Sequence, residues 1–391
     1  MKKVFIVAAK RTPMGSFQGA LSSVSATELG AVVIKSVLDT ANLHPEFVDE
    51  VYFGNVLSAG VGQAPARQAA LKGGILNDTP CTTVNKVCAS GLKSVMLASQ
   101  QIRTGDSSIL IAGGMESMSN TPHYLHVRNG QKLGHLQAMD GMIHDGLTDA
   151  FKQKHMGVSA ELCAKTFNIS REEQDQYAVK SYQRSKESWE KGKFNAEIVP
   201  VVIAGRKGKI SSVYIDEEFS KVDYKKIPKL NPVFDKEGSV TAANASTLND
   251  GAAALILVSE EKLTDYNLTP IAEIVAYGDA AQEPEWFTTA PAKVIPKVLK
   301  KAGLNLNDID FFEINEAFSV VALANIKALK LDHRKVNVYG GAVALGHPLG
   351  CSGARILTTL INILHQENGT YGMAAICNGG GGASAMIIKK L

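Results

Sequence analysis

Three stretches of this chain set reactive side chains among small residues. In Asn85-Lys86-Val87-Cys88-Ala89-Ser90-Gly91 a thiol stands where a helical pattern opens. Leu92, Val95, Met96, Ala98 and Ile102 then recur at near-helical spacing, and Gly105 ends the run. A thiol in the first turn of a helix lies in the positive end of the macrodipole, which favours the nucleophilic thiolate. An unperturbed cysteine is only about 3% ionised at neutral pH, and lowering its pKa to roughly 7 takes ~2 kcal/mol of anion stabilisation. A helix end supplies part of this, and an adjacent imidazolium would supply the rest. Gly340 to Gly350 is a glycine-rich loop that carries His347 ahead of another helix. Cys377-Asn378-Gly379-Gly380-Gly381-Gly382 puts a second thiol at a strand end, before four glycines. Such runs let a backbone approach a ligand closely and aim its amides at an oxyanion. The chemistry on offer is nucleophilic catalysis with an oxyanion to stabilise. Each stretch also has a structural reading: Cys88 and Cys377 as small buried hydrophobes, His347 as a satisfied loop histidine, the glycines as turns. The histidine loop lacks the lysine and hydroxyl of a P-loop.

The elements that must position these residues read as α/β. Over residues 1–117, Val4–Ala9, Val51–Val56 and Ser107–Ala112 are expected as strands. Ser25–Ala41 and Gln63–Lys72 are expected as helices. This alternation implies a layered domain on a parallel or mixed sheet. The texture changes over 118–248. Asn120 to His144 is irregular, and Ser170 to Lys191 is a charged helix with a Ser170/Glu173 capping box and Gly192 as its stop. Ile198–Ile227 reads as short strands with basic loops. Long insertions of this kind carry binding residues or are inert decoration. Ala252–Val258 returns to a buried strand that completes the first half, over 249–269, and 270–391 repeats the first texture. Ser90-Gly91, a helix, then Ile109 to Gly114 parallels Ser352-Gly353, a helix, then Met373 to Gly379, as an internal duplication would.

Composition narrows the function classes. The 391 residues are 45% hydrophobic and 20% charged with a net charge of +3, ample for a large core but without a nucleic-acid surface. Five cysteines without a CxxC pair give neither a disulfide framework nor a zinc site, which points to a reducing compartment. No apolar run approaches the ~18 residues of a membrane helix. Val4–Ala9 is halted by Lys10-Arg11, too short for a signal peptide. A cytoplasmic enzyme is the expectation.

Taken together, VCASG, NEAF (Asn315 to Phe318), GHPLG with SGAR, and CNGGGGAS resemble the thiolase family in order and spacing, over essentially the whole chain. The resemblance implies the thiolase fold: two duplicated layered α/β halves, a five-layered α-β-α-β-α core and an inserted loop domain that binds coenzyme A. His155-Met156-Gly157 and Thr241 to Ser246 point to the subgroup that joins two acetyl-CoA into acetoacetyl-CoA plus CoA, reversibly. A broader-range 3-ketoacyl-CoA thiolase is the alternative. By resemblance Cys88 is the acylated nucleophile, His347 accepts its proton, and Cys377 is the acid/base for the second acetyl-CoA. His347 with a water held by Asn315 would serve one oxyanion, and the amides of Cys88 and Gly379 the other.

The same pattern places Lys221, Val222, Asp223 and Lys226 at the adenine, with Lys221 standing where relatives carry arginine. Ser246 lies along the pantetheine. Leu147, His155, Met156, Phe234, Phe287, Ala317 and Phe318 would line the acyl slot. Phe287 occupies a position tied in the subgroup to 2-methyl-branched substrates, although Thr288 replaces the proline that follows there. Tyr182, Ala242, Ala243, Ala245 and Val343 match a potassium site, and a neutral oxygen cage suits that ion better than magnesium. No cofactor is needed for the chemistry, and a homotetramer is implied. Two rival readings remain. A ketoacyl synthase pairs its nucleophile with two histidines or a histidine and an asparagine, and a non-catalytic acyl-CoA carrier would have lost Cys88, His347 or Cys377.

Overall fold

The structure is a computed structural model that describes residues 2–204 and 210–391. The basic stretch 205–209, inside the region expected to hold basic loops, lies outside the described residues. In the first half, strand β1 (Val4–Arg11) is followed by helix α1 (Ala26–Ala41), β2 (Glu50–Gly54), α2 (Pro65–Lys72), β3 (Cys81–Val84), α3 (Ser90–Thr104) and β4 (Ile109–Ser117). The chain leaves the sheet over 118–248, where α4 (Met156–Phe167) and α5 (Arg171–Glu190) form, and returns as β5 (Asn249–Ser259). The second half is β6 (Ala272–Ala281), α6 (Ala290–Ala302), β7 (Phe311–Ile314), α7 (Ser319–Leu329), the one-turn α8 (Ala342–Leu345), α9 (Leu349–Gln366), β8 (Tyr371–Asn378) and β9 (Gly382–Lys390).

The long strands order as β7-β8-β9-β6-β1-β5-β4-β2-β3, with Gly15–Ser16 paired to β5 off this path. The sheet is mixed: β2 runs parallel to β3 and β4, and β7 to β8, whereas the central pairs are antiparallel. Within the sheet the halves join where Phe5 and Ile6 of β1 pair with Glu273 and Ala272 of β6. All of β5 is buried, yet its side chains still alternate. Leu255 and Leu257 enter a core shared with α3, α9 and the second half, while Ala254, Ile256 and Val258 pack with α1 and α2. In the second half Ala374, Ile376, Met386 and Ile388 face the shared core, and Met373, Ala375 and Ile387 face α6 and α7. The five layers are therefore α1/α2, sheet, α3/α9, sheet, α6/α7.

The echoed Ser-Gly pairs mark where the two central helices touch. A Cβ on Gly91 would sit 2.8 Å from the amide nitrogen of Ala354, and one on Gly353 would strike Leu92. Only a missing side chain allows this approach, so α3 and α9 cross at their N-terminal ends. The expected helix over 170–191 forms with its capping box between Ser170 and Glu173. β3 and α4 went unread. β3 is a four-residue strand of mixed burial, and α4 is opened by His155, whose ring nitrogen accepts the Gly157 amide instead of a Ser, Thr, Asp or Asn. The loop segment is tied to the first half through buried Arg11, which pairs with Glu197 at 2.5 Å and Asp216 at 2.7 Å.

Candidate active site

A cavity of about 530 Å³ lies between the sheet ends and the 118–248 segment, and Cys88, His347 and Gly379 share its wall. Cys88 is not in the first helical turn, as its sequence setting suggested: Ala89 caps α3 and the helix begins at Ser90. The thiol stands on a tight turn ahead of it. Val87 adopts φ +46°, a left-handed conformation that is costly for a β-branched residue and marks stored backbone strain. The Ser90 hydroxyl donates to the Val87 carbonyl at 2.6 Å and accepts the Lys86 amide at 2.8 Å, which holds the turn closed. Lys86 reaches Asp279 of β6 at 2.5 Å, and Ser384 donates to the same carboxylate at 2.6 Å, so the second half braces the turn.

Electrostatics also correct the sequence reading. Burial pushes the Cys88 thiol up to about 11, against the amides of Gly379 and of Cys88 itself, which favour the anion. His347 is not the imidazolium that would lower it. Burial first, and the charge of Arg355 second, hold the ring down to about 3. The resting pair is a neutral thiol beside a neutral imidazole. Proton transfer must then accompany attack, not precede it.

The loop that carries His347 is held from β5, from β4, from the segment after β7 and from α9. Its backbone N–H donates to Asn249 Oδ1 of β5 at 2.9 Å, and its Nδ1 lies 2.6 Å from the Ser352 hydroxyl on α9. Glu116, at the end of β4, accepts the Gly350 amide at 2.8 Å together with the amides of Val56 and Leu57 and the Asn55 side chain. Burial raises that carboxyl to about 7. Glu316 accepts the Val343 amide at 3.1 Å and bonds from Tyr177, Ser181 and Asn337. Gly346, at φ +105°, lies so close to Asn249 that a side chain there would displace it. Two carboxylates and an amide thus fix the loop that carries the imidazole. None of the three was read as functional from the sequence, because their partners lie far away in the chain.

Cys377 ends β8, is 1% exposed, and packs behind the cavity wall with Met156, Phe287, Ala317 and Phe318. Burial, with the neighbouring Cys88 as the next cause, raises its thiol well above the ordinary range. Asn315, after β7, places Nδ2 3.5 Å from His347 Nε2, and its buried Oδ1 has no partner among the described protein atoms. Of the residues expected around the ligand, Leu147, His155, Met156, Phe234, Phe287, Ala317, Phe318, Ser246, Lys221, Ala242 and Ala245 line the cavity. His155 stacks on Phe234 with centroids 4.6 Å apart, and Ser246 is anchored to the Ala317 carbonyl at 2.9 Å. Lys221 is already engaged by Ser16 and Glu217. Val222, Asp223 and Lys226 do not line the cavity. Val222 packs beside Tyr182, Val343 and Ala344, whereas Asp223 and Lys226 form an exposed pair 3.5 Å apart. Tyr182, Ala243 and Val343 are buried behind the wall.

Family models describe the whole arrangement. The N-terminal domain of thiolase matches residues 4–261 and the C-terminal domain of thiolase matches 268–390. The chain belongs to the thiolase family. It is similar to the cytosolic acetyl-CoA acetyltransferase ERG10 of Gibberella zeae, 55% identical over 99% of this chain and 98% of that one. It is 54% identical to the mitochondrial acetyl-CoA acetyltransferase of Bos taurus, over 100% of this chain and 92% of that one. The Acat5 thiolase of Ascaris suum, solved in complex with coenzyme A, superposes with a TM-score of 0.95 at 45% identity, covering all of both chains. Among the described residues no helix of this thiolase is long and apolar enough to cross a membrane.

A neutral buried histidine has a stability signature. The unfolded ring takes a proton near 6.5, while the folded ring resists until about 3. Between these values the native state binds fewer protons than the unfolded one, so stability is full above pH 6.5 and falls as the pH drops. From pH 7 to pH 5 the expected loss is about 2 kcal/mol. His347→Asn should flatten this limb in urea unfolding at the two pH values. Equal slopes for both proteins would mean that His347 takes up its proton in the folded state.

Proposed function

We propose that this thiolase is an acetyl-CoA C-acetyltransferase that condenses two acetyl-CoA by a ping-pong mechanism through acetyl-Cys88. The observation that carries the reading is the meeting of Cys88 and His347 on one cavity wall, with Cys377 immediately behind it. In the first half-reaction His347 Nε2 takes the Cys88 proton as sulfur attacks the thioester. The amides of Cys88 and Gly379 receive the oxyanion, and Cys377 protonates the departing CoA thiolate. The Cys377 thiolate then removes a Cα proton from the second acetyl-CoA. The imidazolium N–H and a water held by the unpaired Oδ1 of Asn315 bear the enolate oxygen. The enolate carbon attacks acetyl-Cys88, acetoacetyl-CoA forms, and the released Cys88 thiolate recovers its proton from His347. Cys88 regains its own proton, Cys377 is reprotonated by the Cα proton in place of the one it gave to CoA, and the net change is two acetyl-CoA to acetoacetyl-CoA plus CoA.

Residues 118–248 act as the coenzyme A segment in this reading, between halves at 1–117 with 249–269 and at 270–391. Ser246, His155 and Met156 border the pantetheine, while Lys221, Val222, Asp223 and Lys226 sit at the outer, adenine end. Tyr182, Ala242, Ala243, Ala245 and Val343 would hold a potassium ion. Tyr182 is packed beside Val343 while Ala242 and Ala245 line the cavity, a set of neutral oxygens that fits a large monovalent cation. A homotetramer follows from the family resemblance, and Leu125, Val127, Leu133 and Leu136, apolar side chains left half or more exposed, are a surface that an interface would cover. We place the enzyme in the cytoplasm.

Thiolysis kinetics of acetoacetyl-CoA against a C6 to C16 series of 3-ketoacyl-CoA test the function. Phe287, Phe318 and Met156 line the cavity and pack with Cys377, leaving little room beside the reacting carbon, so kcat/KM should fall at least ~10-fold beyond the shortest substrate. Retained efficiency on long chains would favour the broader-range thiolase instead. The same assay, run with potassium replaced by tetramethylammonium at constant ionic strength, should show a slower rate, and 2-methylacetoacetyl-CoA reports on Phe287.

A further inference from the structure

His347 has two ring nitrogens, and the reading above needs Nε2 to be a lone pair at rest. Something must keep the resting proton on Nδ1. In many hydrolases a buried carboxylate does this. Here the atom 2.6 Å from Nδ1 is the hydroxyl oxygen of Ser352, a neutral group on the first turns of α9. We infer that Ser352 is the positioning residue that fixes His347 in its Nδ1–H form, so that Nε2 alone exchanges protons through both half-reactions. This inference rests on the proposed acetyltransferase cycle and adds the group that sets its base.

The hydrogen-bond inventory supports it from both sides of the ring. A hydroxyl has one proton. Ser352 Oγ donates that proton to the Pro348 carbonyl at 2.8 Å, one helical turn back, a common way for a serine near a helix start to satisfy itself. Its lone pairs are then left for Nδ1–H. On the far side, the Asn315 amide NH₂ lies 3.5 Å from Nε2, an arrangement that suits a lone pair on the ring. Asn249 holds the backbone N–H of His347, and the loop around it is clamped by Glu116 and Glu316, so the ring cannot swing away to find another Nδ1 partner. Ser352 is 1% exposed and His347 5%, so water does not compete for the contact.

A hydroxyl instead of a carboxylate has a chemical consequence. No anion waits behind the ring to stabilise an imidazolium, and the Arg355 guanidinium, one turn further along α9, opposes one. The ring therefore accepts the Cys88 proton only while the sulfur–carbon bond is forming and the oxyanion is being taken up by the amides of Cys88 and Gly379. It returns the same proton to the Cys88 thiolate when acetoacetyl-CoA leaves. The Nδ1 proton never moves. The Ser352 bond turns the imidazole into a one-site base without fixing charge on it.

Ser352→Ala removes the acceptor and allows the Nε2–H form, which cannot take a proton from Cys88. A mis-set tautomer lowers kcat by up to about 10⁴ where a carboxylate is the orienter, and about 100-fold is expected for a neutral one. The rate of acetyl-enzyme formation, measured by rapid quench with labelled acetyl-CoA, should fall by about that factor with KM changed less than about 2-fold. Ser352→Thr keeps the hydroxyl and should restore the rate to within about 5-fold. A wild-type rate in Ser352→Ala would overturn the inference, as would a threonine variant no faster than the alanine one. Should the alanine variant not fold, nitrogen-15 NMR of wild-type protein labelled in its histidine rings decides, with His347→Asn used to assign the signals. Protonated Nδ1 with bare Nε2 is expected, and the opposite pattern would overturn the inference. Failure of the acetyltransferase reading is distinguished by Cys88→Ser retaining covalent label, which leaves the ring spectrum unchanged.

Discussion

Replacing Cys88 with serine is expected to abolish covalent acetylation and to lower turnover by about 10⁴-fold or more. Burial already raises the thiol to about 11, so the wild-type site works at the edge of what a neutral imidazole can deprotonate. A serine hydroxyl is a far weaker acid than a thiol, and the same ring cannot make it nucleophilic. The geometry would survive, since Ser and Cys differ little in size and the turn is held by Ser90, Lys86 and Asn85 rather than by the sulfur. Incubation with radiolabelled acetyl-CoA should label the parent near one acetyl group per chain and leave the variant unlabelled. Full labelling of the variant would remove Cys88 from its role.

Cys377→Ala should separate the half-reactions. Acylation needs the nucleophile, His347 and the amides of Cys88 and Gly379, all of which remain, and solvent protonates the departing CoA. Condensation also needs a base at Cα, and Cys163, the other thiol packed in that cluster, is held protonated by burial and supplies none. Acetyl-enzyme formation is expected to stay within about tenfold of wild type, whereas condensation falls by about 10³-fold or more. Exchange of acetyl-CoA methyl protons in deuterated water reads the second step directly. Wild-type exchange in the variant would assign the base elsewhere.

Much of this was legible in the sequence because short, local patterns carry it. α1 fills the expected Ser25–Ala41 stretch with Ser25 as its cap, the Ser170/Glu173 capping box forms, and the Ser-Gly echo between halves is the contact of α3 with α9. The errors share one physical origin, which is that long-range packing decides them. Whether Cys88 sits in a helix or ahead of it depends on the left-handed turn at Val87, and nothing in the local composition requires a valine to adopt it. Whether its thiol ionises depends on how deeply two halves bury it, and here desolvation outweighs the amides of Gly379 and Cys88. Glu116, Asn249, Glu316 and Ser352 looked like ordinary polar residues. Their roles exist only once Gly350, His347 and Val343 have been brought to them.

The position of β5 between β1 and β4 bears on how this chain comes to be folded. β4 and β1 lie in the first 117 residues, yet the strand that joins them follows the whole excursion over 118–248. Until residues 249–259 emerge from the ribosome, Val4 to Lys10 of β1 lack both of their partner strands, and the edge of β4 that faces β5 stays open. Val4, Phe5, Ile6 and Val7 are then exposed in a segment ready to pair with the wrong partner. Pairing over such sequence distances is slow, because the loop entropy must be met before the contacts form. The fragile period in the life of this protein is thus the interval of its own synthesis. The nucleophile passes through that interval without its imidazole and second thiol, which arrive with the final strands and helix.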